Sequence, residues 1–274
     1  MKKGICYVCI PSQGSPEDRF HAAREAGYQG VELTFHEPGR GPLSLESTRQ
    51  EVTALHDTIR RADLEVPSLM CGAAVRSTPV LHSDAAMRAQ AVRNLDLALE
   101  RARWLGATAV LVHPGQLRPD TRYDAAYDWT RQALRALRPA CEEHGIAIAL
   151  ENVWNKFLLS PMEFRAIVDD VDHPLVGAYF DVGNVLLFGY AEQWVQILGT
   201  RIKKVHVKDF KRAVGTGQGF CQLLEGDANY RAAMRELRAI GYDDYLTSEV
   251  SESNLSPGET IMDVARRLDQ ILAL

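Results

Sequence analysis

The chain has 274 residues, a length that one large α/β barrel can fill, so length alone does not require two domains. Hydrophobic residues make up 46% and charged residues 24%, an ordinary globular composition without the bias of disordered or membrane proteins. The net charge of −5 argues against non-specific binding of nucleic acid, because such binding needs a basic surface.

The N-terminal residues and the cysteines indicate the cellular compartment. The apolar run at residues 4–10 is too short for a signal peptide, and no run approaches the roughly 18 apolar residues of a membrane span. Five cysteines, an odd number, indicate reduced thiols in a cytoplasmic protein. Cys6 and Cys9 are spaced like a C-x-x-C motif, but residues three apart in a strand point to opposite faces, so we interpret both as buried thiols.

Strand-like and helix-like patterns alternate along the whole chain. The apolar, β-branched runs predict strands at residues 4–10, 30–35, 66–71, 107–113, 146–151, 176–181, 202–207 and 245–250. The 3.6-residue periodicity and the capping signals predict helices at about 16–27, 44–62, 84–105, 124–144, 160–170, 192–199, 229–241 and 257–272. Eight such alternations favour one closed (β/α)8 TIM barrel, with residues 1–274 as a single domain.

Four potential ligands lie at the ends of predicted strands. They are Glu151, Asp181, His206 and Glu249. Parallel barrel strands deliver their carboxyl ends to one face, so we expect the four side chains to converge there. Three carboxylates and one imidazole form an oxygen-rich shell that suits one divalent ion, with Mn²⁺ preferred and Mg²⁺, Co²⁺ or Zn²⁺ also compatible.

A structural interpretation of the same acids remains open. Lys208, Lys211 and Arg212 follow His206 closely and could neutralise the carboxylates as a salt-bridge cluster without any metal. A single acid at a strand end is also more often a helix cap or an ion-pair member than a ligand. The metal hypothesis therefore depends on four such residues following successive strands.

The motifs around these residues resemble one known family. Ala149-Leu150-Glu151-Asn152, Phe180-Asp181-Val182-Gly183-Asn184, Val205-His206-Val207-Lys208-Asp209 and Ser248-Glu249-Val250 are similar to the sugar phosphate isomerase/epimerase family with its xylose isomerase-like TIM barrel. The resemblance covers essentially the whole chain. Ketose 3-epimerases and L-ribulose- or L-xylulose-5-phosphate 3-epimerases are members of this family.

The resemblance implies roles for the strand-end residues. Glu151, Asp181, His206 and Glu249 are expected to hold the metal, and Glu151 and Glu249 are expected also to transfer protons. Two carboxylates on opposite sides of one carbon are what an epimerisation needs, because one removes the α-proton and the other returns a proton to the opposite face. Return of the proton to the neighbouring carbon would instead give aldose–ketose isomerisation.

Six further residues are candidates for contact with a sugar or sugar phosphate. The resemblance implies Arg212, His113 and Glu32, and the places of Asn184, Trp154 and Lys208 close to the strand-end ligands add these three. For Glu32 and His113 a structural capping role is the alternative, and for Arg212 a solvated loop charge. We also expect Trp154, Phe157, Phe188 and Phe210 to be either apolar walls of the site or ordinary loop packing.

Two positions depart from the pattern of the free-ketose 3-epimerases. Those enzymes carry a His three residues after the Asp ligand, where this chain has Asn184, and a second Glu six residues after the first ligand, where it has Phe157. The Asp-x-Gly-Asn form looks more like the phosphopentulose branch.

Two other functions stay open. One is a non-catalytic sugar-sensing barrel that kept the fold. The other, which we rank lower, is an endonuclease IV-like phosphodiesterase, because that site needs a metal cluster with several more histidines at strand ends. We expect no nucleic-acid or membrane partner, and a homodimer or homotetramer as the assembly.

Overall fold

The computed structural model describes residues 1–11, 13–72, 74, 76–250 and 255–274. In chain order its strands are β1 Lys2–Cys6, β2 Gly30–Thr34, β3 Ser68–Met70, β4 Ala109–Val112, β5 Ala147–Glu151, β6 Val176–Asp181, β7 Ile202–Val207, β8 Asp209–Phe210, β9 Phe220–Cys221 and β10 Tyr245–Ser248. All except β8 and β9 form one closed parallel barrel in the order β1-β10-β7-β6-β5-β4-β3-β2. The predicted (β/α)8 TIM barrel is confirmed.

The α-helices of the described residues surround the barrel. They are α1 Pro16–Glu25, α2 Arg49–Arg61, α3 Ala85–Trp104, α4 Tyr123–His144, α5 Pro161–Val171, α6 Ala191–Leu198, α7 Tyr230–Ala239 and α8 Pro257–Leu272. Capping explains several starts: Asp84 caps α3, and Ser160 caps α5 ahead of Pro161, as predicted. Among the described residues, no helix is both long enough and apolar enough to cross a bilayer.

Several predicted boundaries differ from the structure, and two differ most. Helix α2 begins at Arg49 rather than near residue 44, because Thr48 and Glu51 form a capping box that fixes the start. Strand β1 ends at Cys6, and residues 7–9 form a 3₁₀ turn. The guanidinium of Arg19 stabilises this turn by donating to the carbonyl oxygens of Tyr7 and Ile10, at 2.7 and 2.9 Å.

The apolar core lies mainly between the strands and the helices. Helix α2, for example, buries Val52, Leu55 and Ile59, which share one face at helical spacing. A smaller cluster is formed by Leu111, Ala149 and Tyr179 on β4, β5 and β6. In register, Leu111 lies beside Ala149, and Glu151 beside Tyr179, so the acid at the end of β5 follows directly on packed strand residues.

Strands β8 and β9 pair antiparallel immediately after β7. Their pairing turns residues 209–221 into a hairpin next to the carboxyl end of β7. Residues 212–214 and 217–219 within it are 3₁₀ turns. The hairpin brings Phe210 and Phe220 together, with ring centres 5.1 Å apart.

Candidate metal and catalytic site

Four neighbouring strands place the four predicted ligands. Glu151 and Asp181 are the last residues of β5 and β6, His206 is the next-to-last residue of β7, and Glu249 follows β10. The amide of Glu249 donates to the carbonyl oxygen of Val207 at 3.2 Å, so the ladder extends one bond beyond β10. One ligand atom from each of the four residues lies within 4.8 Å of the others.

The imidazole of His206 is the centre of this group. Its Nδ1 lies 3.3 Å from Glu151 Oε1, 3.6 Å from Glu249 Oε2 and 3.9 Å from Asp181 Oδ2. Its Nε2 lies 2.7 Å from Glu32 Oε2 on the other side of the ring. Burial acts to lower the pKa of His206, but the carboxylates of Glu32 and Glu151 raise it well above its usual value.

Glu32 is fully buried at the centre of a hydrogen-bonded group. The hydroxyls of Tyr179 and Ser68 donate to its Oε1 at 2.6 and 2.7 Å, and the thiol of Cys6 donates to its Oε2 at 3.1 Å. Burial acts to raise the pKa of Glu32. The charge of His206, together with hydrogen bonds from His206, Tyr179 and Ser68, lowers this pKa to about 2. The structure therefore places Glu32 behind His206 as its hydrogen-bond partner, which differs from the predicted capping alternative, and substrate contact by Glu32 stays a prediction.

Asp181 carries the polar atom that best fits a metal. Its Oδ1 accepts from the amide of Asn184 at 2.8 Å, whereas its buried Oδ2 accepts no hydrogen bond within the described parts of the chain. Lys208 Nζ lies 3.1 Å from this Oδ2 as an ion pair without hydrogen-bond alignment. Burial raises the pKa of Asp181 to about 6, against the opposing charge of Lys208.

Glu249 is the more exposed of the two predicted proton-transfer residues, with 27% of its side chain accessible. Lys208 Nζ donates to its Oε2 at 2.5 Å. Burial acts to raise the pKa of Glu249, but Lys208 and His206 together lower it below its usual value. The carboxylate of Glu249 is therefore the ionised form at neutral pH.

These donors fit a divalent cation. Three carboxylates and an imidazole nitrogen face one another, one carboxylate oxygen lacks a hydrogen bond, and the second nitrogen of the imidazole is bound to a buried carboxylate. A carboxylate on the far nitrogen is the usual way in which proteins orient a metal-binding histidine. A second group of possible ligands, Cys6 with Glu32 and His206, shares this histidine and so belongs to the same site.

Asn184 and Trp154 hold the loops around the site. The Asn184 side chain donates to the backbone carbonyl oxygen of Asn152 at 3.0 Å. The backbone carbonyl oxygen of Asn184 accepts from Trp154 Nε1 at 2.8 Å. Asn152, which was not among the predicted site residues, exchanges two hydrogen bonds of 2.8 Å with the backbone of Asp181. These contacts connect the ends of β5 and β6.

An aromatic cluster lies beside Lys208, with a membership that differs from the prediction. Trp154 contacts Phe188, Phe210 and Phe220, with ring centres 6.2, 5.1 and 5.1 Å apart. Phe157 instead is buried against Tyr123 at 5.2 Å, which is ordinary loop packing. Sequence reasoning missed Phe220 because only the β8–β9 hairpin brings it back to Trp154.

The other two predicted contacts lie in different surroundings. The ring of His113 packs over Gly72, where a Cβ would lie 2.4 Å from His113 Nε2. Arg212 is half exposed, and its Nε lies 3.6 Å from Asp227 Oδ2. Substrate contact by either residue stays a prediction.

Comparison with known proteins identifies the family. The chain matches the xylose isomerase-like TIM barrel family over residues 20–271. It belongs to this family.

Individual relatives include sugar epimerases. The chain is 26% identical to L-ribulose-5-phosphate 3-epimerase UlaE of Escherichia coli over 276 aligned positions, which cover 98% of this chain and 93% of that protein. It is 30% identical over 161 residues to the uncharacterised protein MJ1311 of Methanocaldococcus jannaschii, a match covering 56% of this chain and 54% of that protein. The fold also matches a crystal structure of the IolI protein with a bound zinc atom, with a TM-score of 0.82, 15% identity and coverage of 100% and 98%.

Proposed function

We propose that this protein is a divalent-metal-dependent sugar epimerase that inverts C3 of a ketose or ketose phosphate by proton transfer through Glu151 and Glu249. The observation that carries the proposal is the order of the strands. Glu151 ends β5 and Glu249 follows β10. These two strands flank β6 and β7, so Asp181 and His206 lie between the two glutamates. The two glutamates therefore approach the ligand group from two sides.

This geometry suits an epimerisation. Glu249, as a carboxylate, removes the α-proton from one face of the substrate carbon. Glu151 enters the step as a carboxylic acid and gives its proton to the opposite face, so the step ends with Glu249 protonated and Glu151 ionised. Proton exchange with solvent restores both groups, and in the reverse direction the two residues exchange roles. A divalent ion held by Glu151, Asp181, His206 and Glu249 would supply Lewis-acid stabilisation of the negative charge that develops on the substrate oxygens.

Relatives support both the reaction and the choice of probe. UlaE of E. coli, which covers nearly the whole chain, is an L-ribulose-5-phosphate 3-epimerase. L-Ribulose 5-phosphate is therefore the first compound to test, and free L-ribulose beside it reports whether the phosphate is needed. We propose Mn²⁺ as the metal because carboxylates dominate the ligand set.

The test follows proton exchange with solvent. The protein, Mn²⁺ and L-ribulose 5-phosphate are incubated in D₂O, and NMR should show deuterium at C3 together with the C3 epimer. Glu151→Gln and Glu249→Gln should each lower the exchange rate by about 10³-fold or more, because each removes a proton-transfer group. Deuterium at C2 of an aldose product, or at C1 of the recovered ketose, would indicate isomerisation instead.

Two controls make the result specific. Glu143→Gln changes an exposed glutamate of α4 and should leave exchange unaltered. Mn²⁺ binding by both active-site variants is measured separately, since Glu151 and Glu249 are also proposed ligands. Undiminished exchange in both would rule out the mechanism, and a stoichiometry above one ion per chain would favour a metal cluster.

A further inference from the structure

Contacts with Gly183, Tyr230 and Phe220 position Lys208 in the candidate site. A Cβ on Gly183 would lie 2.3 Å from Lys208 Cγ, so only glycine at this position leaves room for the lysine stem. The hydroxyl of Tyr230 donates to the carbonyl oxygen of Lys208 at 2.9 Å, and Lys208 Nζ lies 5.5 Å from the centre of the Phe220 ring. Only 14% of the side chain is exposed.

The ammonium group occupies space that the proposed metal needs. Lys208 Nζ is 2.5 Å from Glu249 Oε2 and 3.1 Å from Asp181 Oδ2. These same two oxygens face His206 Nδ1, at 3.6 and 3.9 Å. A divalent ion bound by them would therefore lie close to the ammonium group, and two positive charges only a few ångströms apart in a buried site repel each other strongly.

The charge balance of the site explains why a lysine lies among the carboxylates. Four carboxylates, those of Glu32, Glu151, Asp181 and Glu249, are gathered here around His206 and Lys208 as the two cations. Without a compensating charge, the mutual repulsion of the carboxylates would force them apart. The lysine thus supplies a cation that stays attached to the chain.

We propose that Lys208 is a tethered competitor for the metal: its ammonium group neutralises Asp181 and Glu249 in the metal-free protein and leaves them when the metal binds. The residue thereby keeps the site assembled and weakens metal binding at the same time. This inference rests on the metal site of the proposed function. It differs from a purely structural salt bridge, because a salt bridge that only holds the fold together would not weaken metal binding.

The test compares the Mn²⁺ affinity of variants in which one cationic side chain is removed or replaced. Lys208→Met removes the ammonium group and keeps most of the stem, Lys208→Arg keeps a cation, and Lys211→Met removes an exposed lysine three residues away. Free Mn²⁺ is measured by electron paramagnetic resonance at fixed pH and ionic strength. Lys208→Met should bind Mn²⁺ about 10- to 100-fold more tightly than the unchanged protein. Lys208→Arg should stay near the original affinity, and Lys211→Met should not change it.

Two further measurements complete the design. In EDTA, Lys208→Met should unfold at a lower temperature than the unchanged protein, whereas Lys211→Met should not. In the unchanged protein, an amine-acylating reagent should modify Lys208 faster when Mn²⁺ is present, with no such change at Lys211, and this readout needs no folded variant.

The failures are distinguishable. Equal or weaker Mn²⁺ binding by Lys208→Met, or acylation of Lys208 that ignores Mn²⁺, would overturn the competitor role while leaving the metal site intact. If the unchanged protein binds no Mn²⁺, or if Asp181→Asn binds it equally well, the metal site itself is refuted, and Lys208 is then a permanent salt-bridge partner.

Discussion

The two ends of the barrel use charged residues in opposite ways. At the amino end, Lys204 Nζ pairs with Asp244 Oδ2 at 2.6 Å and Lys2 Nζ pairs with Glu65 Oε2 at 2.8 Å. Each cation has one anion, and the acids are 37% and 49% exposed. At the carboxyl end, four carboxylates share His206 and Lys208, and most of the group is buried.

Charge balance therefore distinguishes the site from the amino end. The amino end has a cavity of about 440 Å³, and the Lys2 and Lys204 pairs line it. Balanced pairs beside water stabilise a fold modestly and leave no electrostatic demand for a ligand. An excess of buried carboxylates creates a demand for a cation, which a metal or a lysine can meet.

Removal of one carboxylate at each end of the barrel tests this difference in charge balance with the largest expected effect. Glu32→Gln should lower the free energy of unfolding by about 3–5 kcal/mol, because it removes the buried carboxylate that pairs with His206 Nε2. It should also weaken Mn²⁺ binding by about 10- to 100-fold, because the orientation of the imidazole is lost. Urea unfolding in EDTA and Mn²⁺ titration measure the two effects.

Glu65→Gln is the matched control. Glu65 accepts hydrogen bonds from a cation and a tyrosine, Lys2 and Tyr245, as Glu32 does from His206 and Tyr179, but water reaches Glu65. Its loss should cost about 1 kcal/mol or less and leave Mn²⁺ affinity unchanged. Similar losses in the two variants would contradict the contrast between the ends.

The pH dependence of the metal-free protein gives a second test. The pKa of Asp181 rises from an ordinary 3.8 to about 6 in the folded state, chiefly because the group is buried. The folded state therefore binds this proton more tightly, so the contribution of Asp181 to stability is complete below pH 4 and is lost as the pH rises through about 6. The loss is on the order of 2 to 3 kcal/mol.

Asp181→Asn isolates this effect, because an amide resembles the protonated carboxyl at every pH. In EDTA, the unfolding free energy of the unchanged protein should fall relative to that of Asp181→Asn between pH 4 and pH 7. Parallel curves for the two proteins would show that Asp181 keeps an ordinary pKa. The Glu32 carboxylate acts in the opposite direction at lower pH, since its pKa of about 2 stabilises the fold above pH 4.5 and this stabilisation is lost on acidification.

Local patterns were enough to predict the barrel and the convergence of the four strand-end residues, whose role as metal ligands stays a prediction. Glu151, Asp181 and His206 end apolar runs, and parallel strands bring such residues to one face whatever their separation in the chain. Tyr179 could have been found as well, because it lies two residues before Asp181 on the same face of β6.

Contacts between distant strands could not be predicted in this way. Glu32 meets His206 across 174 residues, a contact that depends on how the closed barrel places β2 opposite β7. Lys208 is next to the ligands in sequence, but its contact with Asp181 depends on the space left by Gly183. Whether a residue near a strand end faces substrate or another side chain is decided by such packing.

The smallest predicted effect concerns Lys204 at the amino end. Its side chain is only 3% exposed, so burial alone would make it look as important as Lys208. Lys204→Met keeps the buried stem and leaves Asp244 in contact with water, so the free energy of unfolding should fall by about 1 kcal/mol or less. Mn²⁺ affinity and C3 proton exchange should not change, in contrast to Lys208→Met. A large loss of stability, or any shift in Mn²⁺ affinity, would mean that the lysines at the two ends are electrostatically coupled through the barrel.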